Sequence, residues 1–256
     1  MSAPVFLVPD LPAASTGDVI TVSGPEGHHA MAVQRLRVGE QVELVDGRGG
    51  RALGSVHEES TKRDLRVRVA SYRVEGAQVP RIVVVQAIPK SDRADRAIEL
   101  MTEVGVDVII PWQAEHCVTR WSGERGHKAH ASWVRTAQEA TKQSRRARVP
   151  IIEAVSTTAD VAARIREACE RGACAWALHE AAQDGAPEEL DTPEVWLVVG
   201  PEGGISPREL ANLSTAGATP VRLGSTVFRA SSAGAIAAAV VSTLTGRWSD
   251  SHARMR

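Results

Sequence analysis

Apolar and polar positions follow two different rhythms along the chain. Up to about residue 72 the apolar runs are short, as in VITV, QVELVDG, ALGSVHE and DLRVRVASYRV, and Gly or Asp-Gly turns separate them. Such runs predict strands, and only HHAMAVQRLRV has a possible helical period. We therefore predict a small β-rich domain at residues 1–74 and a linker at residues 75–80.

After Pro80 the apolar runs become continuous. RIVVVQAI, VDVIIPW, CAWALHE and EVWLVVG are typical of strands that are buried on both faces. Stretches with helical spacing, such as SDRADRAIELMTEVGV and ADVAARIREACERG, lie between them. This alternation predicts an α/β domain at residues 81–256, with a parallel sheet and helices on both of its faces.

Composition narrows the class of protein. The 256 residues carry a formal net charge of −1, so any surface that binds nucleic acid must be a local patch. Three cysteines without a C-x-x-C pair argue against a disulfide framework and a cysteine-rich zinc site, and the histidines lack metal-ligand spacing. We expect a reducing cytoplasmic setting, no metal, no signal peptide and no membrane span.

The segment GPEGG follows the apolar run EVWLVV, where a parallel sheet collects its ligands. Ser206, Pro207 and Glu209 predict a helix that begins directly after it with a capping box. The segment is neither a P-loop nor the G-x-G-x-x-G fingerprint. From glycine content alone, a tight connection without a ligand remains equally open.

A second glycine-marked turn follows in PVRLGSTVFRASSAGAIAA. We predict a strand at residues 221–223, a turn at Gly224, apolar cover from Val227 and Phe228, and a helix capped by Ser231 or Ser232. Together the two turns predict a pocket for a flat, weakly charged molecule. The alternative is a helix that is simply buried beneath the sheet.

Several motifs resemble one known family. GPEGGISPREL and LGSTVFRASSAGAIAA resemble the SPOUT, or trefoil-knot, RNA methyltransferases, and more closely the RsmE family, which methylates N3 of a uridine in 16S ribosomal RNA. IPKSDRADRAIELMTEVGVDVIIPW, EATKQSRRARVP and GHHAMAVQRLRVGEQVELVDGRG agree with that family in the same order. The similarity covers nearly the whole chain.

The resemblance implies a PUA-like, RNA-binding β-barrel followed by a knotted α/β domain, a homodimer, and S-adenosylmethionine as the cofactor. It places the cofactor on three loops. Their residues are Leu178, His179, Val199, Gly200, Glu202, Gly203, Gly204, Ile205, Leu223, Gly224, Val227 and Phe228. Where the family often has Glu-Thr-Ala, this chain has Ser231, Ser232 and Ala233, so an acidic catalytic residue is not expected there.

Arg229 is our candidate catalytic residue, because a cation stabilises the charge that develops on uracil O2 and O4 when N3 loses its proton. Pairing with a carboxylate of the dimer mate is the alternative. No general base is evident, and we expect Glu202, the nearest carboxylate, to hold the glycine loop. Two further alternatives are a non-catalytic factor that binds ribosomal RNA during ribosome assembly, and a SPOUT methyltransferase with another RNA target.

Basic residues outside the pocket predict contacts with 16S rRNA or the small ribosomal subunit. The candidates are His29, Arg35, Arg66, Arg68, Lys90, Arg93, Lys142, Arg145 and Arg146. Each cluster could equally be an ordinary solvated face, and His29 could be a structural histidine. A shorter copy, GPEG at residues 24–27, is predicted to be a polar turn before His28 and His29 and not an internal repeat.

Overall fold

The computed structural model describes residues 3–90 and 93–249. The chain divides into two compact units. One comprises Met1–Ala77 and Gln138–Val149, and the other comprises Gln78–Ala137 and Pro150–Arg256.

A five-stranded sheet forms the first unit, in the order β1-β3-β4-β5-β2. β1 pairs with β3 in parallel, and the other pairs are antiparallel. Alternate residues point into a core that contains Phe6, Leu44, Leu65 and Val67. The strands are β1 (Val5–Leu7), β2 (Val19–Val22), β3 (Gln41–Val45), β4 (Gly50–Val56) and β5 (Leu65–Val74).

The first GPEG segment (residues 24–27) lies in a short helix, α1 (Gly24–His28), so the prediction of a polar turn was wrong. Pro25 suits the first turn of a helix. Gly27 is buried so closely against the carbonyl oxygen of Val22 that a Cβ would lie 2.1 Å from it. Helical backbone continues as a π-helical turn over His29–Val33.

Residues 138–149 group with the first unit, although the sequence pattern placed them in the second domain. Their ion pairs give the physical reason. Glu43 on β3 accepts hydrogen bonds from both Arg51 and Arg145. Ala147 also packs against Val5 and Val45. The domain boundaries at residues 74 and 80 remain predictions.

The second unit contains six parallel strands in the order β11-β9-β10-β6-β7-β8. The strands are β6 (Arg81–Ala87), β7 (Val108–Trp112), β8 (Ile151–Ile152), β9 (Cys174–Leu178), β10 (Glu194–Val199) and β11 (Thr219–Val221). The predicted strand over residues 221–223 therefore lies two residues too late. The predicted α/β class, with a parallel sheet after a β domain, is confirmed.

Helices cover both faces of this sheet. The helices after β6 are α2 (Ala94–Glu103), α3 (Gly123–Gln143), α4 (Thr158–Glu170), α5 (Pro207–Thr215) and α6 (Ala230–Leu244), and the last six residues of α3 group with the first unit. On one face Val83 packs in a cluster with Ile165 of α4 and Leu213 of α5. The next residue, Val84, points to the other face and approaches Gly234 of α6. Among the described residues, no helix has the length and apolar character of a membrane span.

Candidate functional site

Three loops meet at the carboxyl edge of the parallel sheet, after the neighbouring strands β9, β10 and β11. They enclose the sheet-edge cavity, of about 490 Å³, a size typical of small-molecule sites. Its wall contains Leu178, His179, Val199, Gly200, Glu202, Gly203, Gly204, Ile205, Leu223, Gly224, Val227, Phe228 and Arg229. All twelve predicted cofactor residues and the candidate catalytic arginine are therefore brought together.

The second GPEG segment (residues 200–203) begins the loop after β10. A Cβ on Gly200 would lie 2.7 Å from Ile205 Cγ1, and one on Gly203 would lie 3.0 Å from His116 Cβ. Gly204 has φ +75°, a conformation that favours glycine. The backbone of this loop can therefore follow the cavity wall only because these positions have no side chain.

Glu209 fastens the far end of this loop. Ser206 and Glu209 form the predicted capping box at the start of α5. The Glu209 carboxylate, which is 2% exposed, also accepts hydrogen bonds from the Glu115 backbone N–H at 2.9 Å and from Thr158 Oγ1 at 2.8 Å. One buried carboxylate thus ties three chain segments together behind the cavity.

Glu115 and His116 hold the same loop from the segment after β7. The Glu115 carboxylate accepts from Ser206 Oγ at 2.8 Å and pairs with Arg208 at 3.4 Å. The Ser206 hydrogen bond and the Arg208 charge lower the pKa of Glu115. His116 Nδ1 lies 3.0 Å from the Gly203 carbonyl oxygen, so Nδ1 is the donor, because a carbonyl only accepts.

Arg229 ends the third loop and occupies the N-cap position of α6, so the prediction that Ser231 or Ser232 caps this helix was wrong. Its carbonyl oxygen accepts from the Ser232 and Ala233 N–H groups and from Ser232 Oγ. Ser232, where the family often has a different residue, therefore stabilises the first turn of α6. The Arg229 side chain is exposed at the cavity wall.

The predicted RNA contacts separate into distinct places. His29, Lys142 and Arg145 line a further cavity, in the first unit. Arg93 lines the sheet-edge cavity, although the sequence predicts only a contact with RNA for this residue. Lys90 is exposed, and its backbone N–H lies 3.4 Å from a carboxylate oxygen of Glu202 on the loop after β10.

The other basic candidates lie elsewhere in the first unit. Arg66 and Arg68 share one face of β5, where Arg66 pairs with Glu59 and Arg68 hydrogen-bonds to His57 at 2.7 Å. Arg35 follows the π-helical turn with φ +56°. Arg146 is partly buried in the turn after α3. The structure assigns no shared surface to these residues, and their roles remain predictions.

Sequence reasoning missed several residues of both cavities. At the sheet edge these are Glu180, Val221, Arg222, Ala230 and Ala233. Pro201, Ser225 and Thr226 also line this cavity, and they lie within the loops predicted from the sequence at residues 200–205 and 223–229. In the first unit they include Glu26 and Gln34. The repeated GPEG letters were a signal for Glu26, but nothing near it in sequence pointed to a partner more than 100 positions away.

Two family descriptions match the chain. Residues 77–242 match the RNA methyltransferase domain, and residues 22–70 match the RNA methyltransferase PUA domain. The solved structure of a methyltransferase from Legionella pneumophila, in complex with the bound cofactor SAM, has 27% sequence identity and a TM-score of 0.80, covering 95% of this chain and 98% of that one. A ribosomal RNA small subunit methyltransferase E from Neisseria gonorrhoeae has 23% identity and a TM-score of 0.83, with 95% and 98% coverage, and supports the fold alone.

Sequence relatives match most of the chain. The ribosomal RNA small subunit methyltransferase E of Mycobacterium bovis is 44% identical over 250 residues, which cover 97% of this chain and 94% of the relative. The protein of the same name from Bacillus subtilis is 25% identical, with 87% and 89% coverage. The chain belongs to the ribosomal RNA small subunit methyltransferase E family, as its motifs predicted.

Proposed function

We propose that this protein methylates N3 of a uridine in 16S rRNA with S-adenosylmethionine as the methyl donor, and that it acts as a cytoplasmic homodimer. Membership of the family carries the coarser statement, a SAM-dependent rRNA methyltransferase. The target atom, the dimer and the compartment are our proposals. The observation that carries the reaction is the sheet-edge cavity, whose wall combines a glycine loop, apolar side chains and Arg229.

The residues of this cavity fit an adenosyl group. The apolar wall comes from Leu178 and Val199 at the ends of β9 and β10, and from Leu223 on the loop after β11. Gly200 leaves backbone exposed where a Cβ would meet Ile205. A planar base can lie between such apolar groups while main-chain groups hydrogen-bond to its edge. We expect these loops to hold the cofactor.

Arg229 supplies a positive charge that can stabilise the deprotonated uracil, which accepts the methyl group. Bound S-adenosylmethionine provides an electrophilic methyl group on a sulfonium sulfur. Uracil N3 carries a proton at neutral pH, and its loss leaves negative charge on O2 and O4. A guanidinium at the cavity wall stabilises that charge, an effect worth roughly 10²–10³-fold in rate for one preorganised donor.

Exposed apolar residues on the third loop support the homodimer. Val227 is 74% exposed and Phe228 is 37% exposed. Adjacent exposed apolar side chains are typical of interaction surfaces when they form a patch. Light scattering of the purified protein is expected to give twice the mass of the chain, and Val227→Asp is expected to shift that mass towards the monomer. A monomeric wild-type protein would contradict the dimer.

Replacing Arg229 tests the chemistry. We expect Arg229→Ala to bind S-adenosylmethionine with unchanged affinity in calorimetry and to lose roughly 10²–10³-fold in methyl transfer to 16S rRNA. Arg229→Lys keeps a cation at the same place and should recover part of the rate. Wild-type turnover in Arg229→Ala would remove the arginine from the mechanism.

Two measurements separate the remaining alternatives. A non-catalytic assembly factor would show no rise in melting temperature with S-adenosylmethionine, whereas a ligand at 100 times its Kd stabilises the folded state by about 2.7 kcal/mol. Nucleoside mass spectrometry of the methylated rRNA then identifies the product. Any methylated nucleoside other than 3-methyluridine would mean a different RNA target.

A further inference from the structure

The first unit contains a cavity of about 290 Å³, here called the first-unit cavity. Its wall comes from three separate parts of the sequence: the start of β1, the helical turns after β2, and the end of α3. The polar residues that face it include Glu26, His29, Gln34, Lys142 and Arg145. Its volume lies at the lower end of the range for small-molecule pockets, so one small polar group fits it.

Glu26 has an unused acceptor at this cavity. Its Oε1 accepts a hydrogen bond from Lys142 Nζ at 2.8 Å. Its Oε2 is buried and has no hydrogen-bond partner among the described residues. A buried carboxylate oxygen without a donor is costly, and such groups are uncommon in folded proteins. A hydrogen-bond donor that enters the cavity would satisfy this oxygen.

Lys142 can complement that acceptor. Its ammonium group has three N–H donors, of which Glu26 Oε1 and Glu139 Oε1 take two at 2.8 Å each. Burial by itself lowers the pKa of Lys142, but the hydrogen bonds to Glu139 and Glu26 outweigh it, and the pKa is raised. The lysine therefore stays charged and has one donor left beside the Glu26 carboxylate.

The charge of the cavity wall is balanced. Lys142 is paired with Glu26 and Glu139, and Arg145 is paired with Glu43. Cations that are already neutralised attract a phosphate weakly. The wall suits a neutral group that carries a hydrogen-bond donor next to an acceptor, and the Watson–Crick edge of every nucleobase has that pattern.

Backbone conformation also marks this place. His29 begins a π-helical turn, and its Nε2 lies 3.1 Å from Gln34 Nε2 at the end of that turn. Arg145 has φ +58°, which is rare for a residue with a side chain. π-helical turns and left-handed residues concentrate at functional sites. Both features lie on the wall of the first-unit cavity.

We propose that the first-unit cavity binds one unpaired nucleobase of the RNA substrate by its hydrogen-bonding edge, with Glu26 as acceptor and Lys142 as donor. This inference rests on the proposed RNA substrate, and it narrows the general RNA contacts predicted from sequence for His29, Lys142 and Arg145 to the binding of one base. Reading of splayed-out single-stranded bases is the usual way in which proteins recognise RNA sequence.

The direction in which one substitution changes the affinity for 16S rRNA distinguishes a bound base from a bound phosphate. With a base edge in the cavity, Glu26→Gln in the full-length protein should weaken binding of 16S rRNA roughly tenfold, with an unchanged dependence of log Kd on log salt. With a phosphate there, removal of the carboxylate should tighten binding, because Lys142 is released. Filter binding at several salt concentrations measures both quantities.

Glu139→Gln is the matched control. It removes the other carboxylate from Lys142, but the Glu139 side chain is 66% exposed and its loss leaves the buried acceptor in place. We expect its affinity for 16S rRNA to change less than twofold. Equal affinities of Glu26→Gln, Glu139→Gln and wild type would overturn the proposal, as would tighter binding of Glu26→Gln.

Chemical probing keeps the test decisive if Glu26→Gln destabilises the first unit. Base-edge reagents applied to 16S rRNA with and without wild-type protein should reveal one unpaired base that the protein protects. Gln34→Met, at an exposed position, should expose that same base while the melting temperature stays at the wild-type value. A footprint identical to wild type in Gln34→Met and Glu26→Gln would exclude base binding. Absence of wild-type methyl transfer to 16S rRNA would instead refute the proposed function.

Discussion

The two GPEG segments have identical letters and different structures. The first forms a helical turn whose shape is set by nearby backbone, because Gly27 lies against the Val22 carbonyl oxygen. The second forms a loop after β10 whose shape is set by side chains from elsewhere, among them His116 and Glu209. Each segment nevertheless places its glutamate on the wall of a cavity. Flanking residues, and not the four letters, decide the conformation.

Gly27→Ala should have the largest effect, which we expect to be a loss of folding stability. The added Cβ would lie 2.1 Å from the Val22 oxygen and 2.9 Å from the Arg63 oxygen, and the Val22 carbonyl belongs to β2, so it cannot move without disturbing the sheet. We expect a loss of about 3 kcal/mol in the free energy of unfolding, measured in urea.

Gly24→Ala is the control in the same segment. Its Cβ meets nothing within 4 Å, but φ +71° strains any residue with a side chain. The expected loss is about 1 kcal/mol. Equal losses for the two glycines would mean that close contact with β2 does not determine the first segment.

Glu209→Gln should come next and should affect both stability and cofactor binding. An amide cannot accept all the hydrogen bonds that the carboxylate takes from Glu115, Thr158 and Ser206. We expect a loss of about 2 kcal/mol in unfolding free energy, with weaker binding of S-adenosylmethionine in calorimetry. Asp160→Asn in the exposed capping box of α4 should cost less and leave cofactor affinity unchanged.

Gly200→Ala should change the affinity for S-adenosylmethionine more than the free energy of unfolding. Its Cβ would meet Ile205 Cγ1 at 2.7 Å and the Ile205 backbone nitrogen at 3.2 Å, and Ile205 lines the cavity. The expected result is a roughly tenfold weaker Kd for S-adenosylmethionine, with a stability loss of about 1 kcal/mol. A stability loss as large as that of Gly27→Ala would remove the contrast between the two segments.

The smallest expected effect is the pH dependence of the stability that Glu115 contributes. The pKa of Glu115 lies below its ordinary value of 4.5 because of Ser206 and Arg208, so its contribution is present at neutral pH and is lost as pH falls through the lowered folded-state pKa. Wild type should melt slightly above Glu115→Gln at pH 7, and the difference should shrink in more acidic solution. A difference that grows on acidification would contradict this assignment.

Local patterns predicted most of the second unit. Continuous apolar strands, glycine loops and the Ser206 capping box are all encoded by residues close together in sequence, so the sheet and the residues that line its edge followed from them. The helix at residues 24–28 did not follow from local patterns, because its conformation depends on the contact of Gly27 with Val22.

Long-range pairing accounts for the rest. Glu26 meets Lys142 across 116 positions, and Glu43 meets Arg145 across 102. No periodicity in the sequence reports such pairs. Sequence patterns therefore could not predict the first-unit cavity or the grouping of residues 138–149 with the first unit.

That grouping has a consequence for protein synthesis. Residues up to 77 emerge from the ribosome well before residues 138–149 have been translated, so the nascent amino-terminal sheet waits for about seventy further residues before Glu43 gains Arg145. A gene fragment that stops at residue 77 is then expected to yield a chain whose Glu43 carboxylate keeps Arg51 but lacks Arg145, and whose sheet is less stable than in the full-length protein.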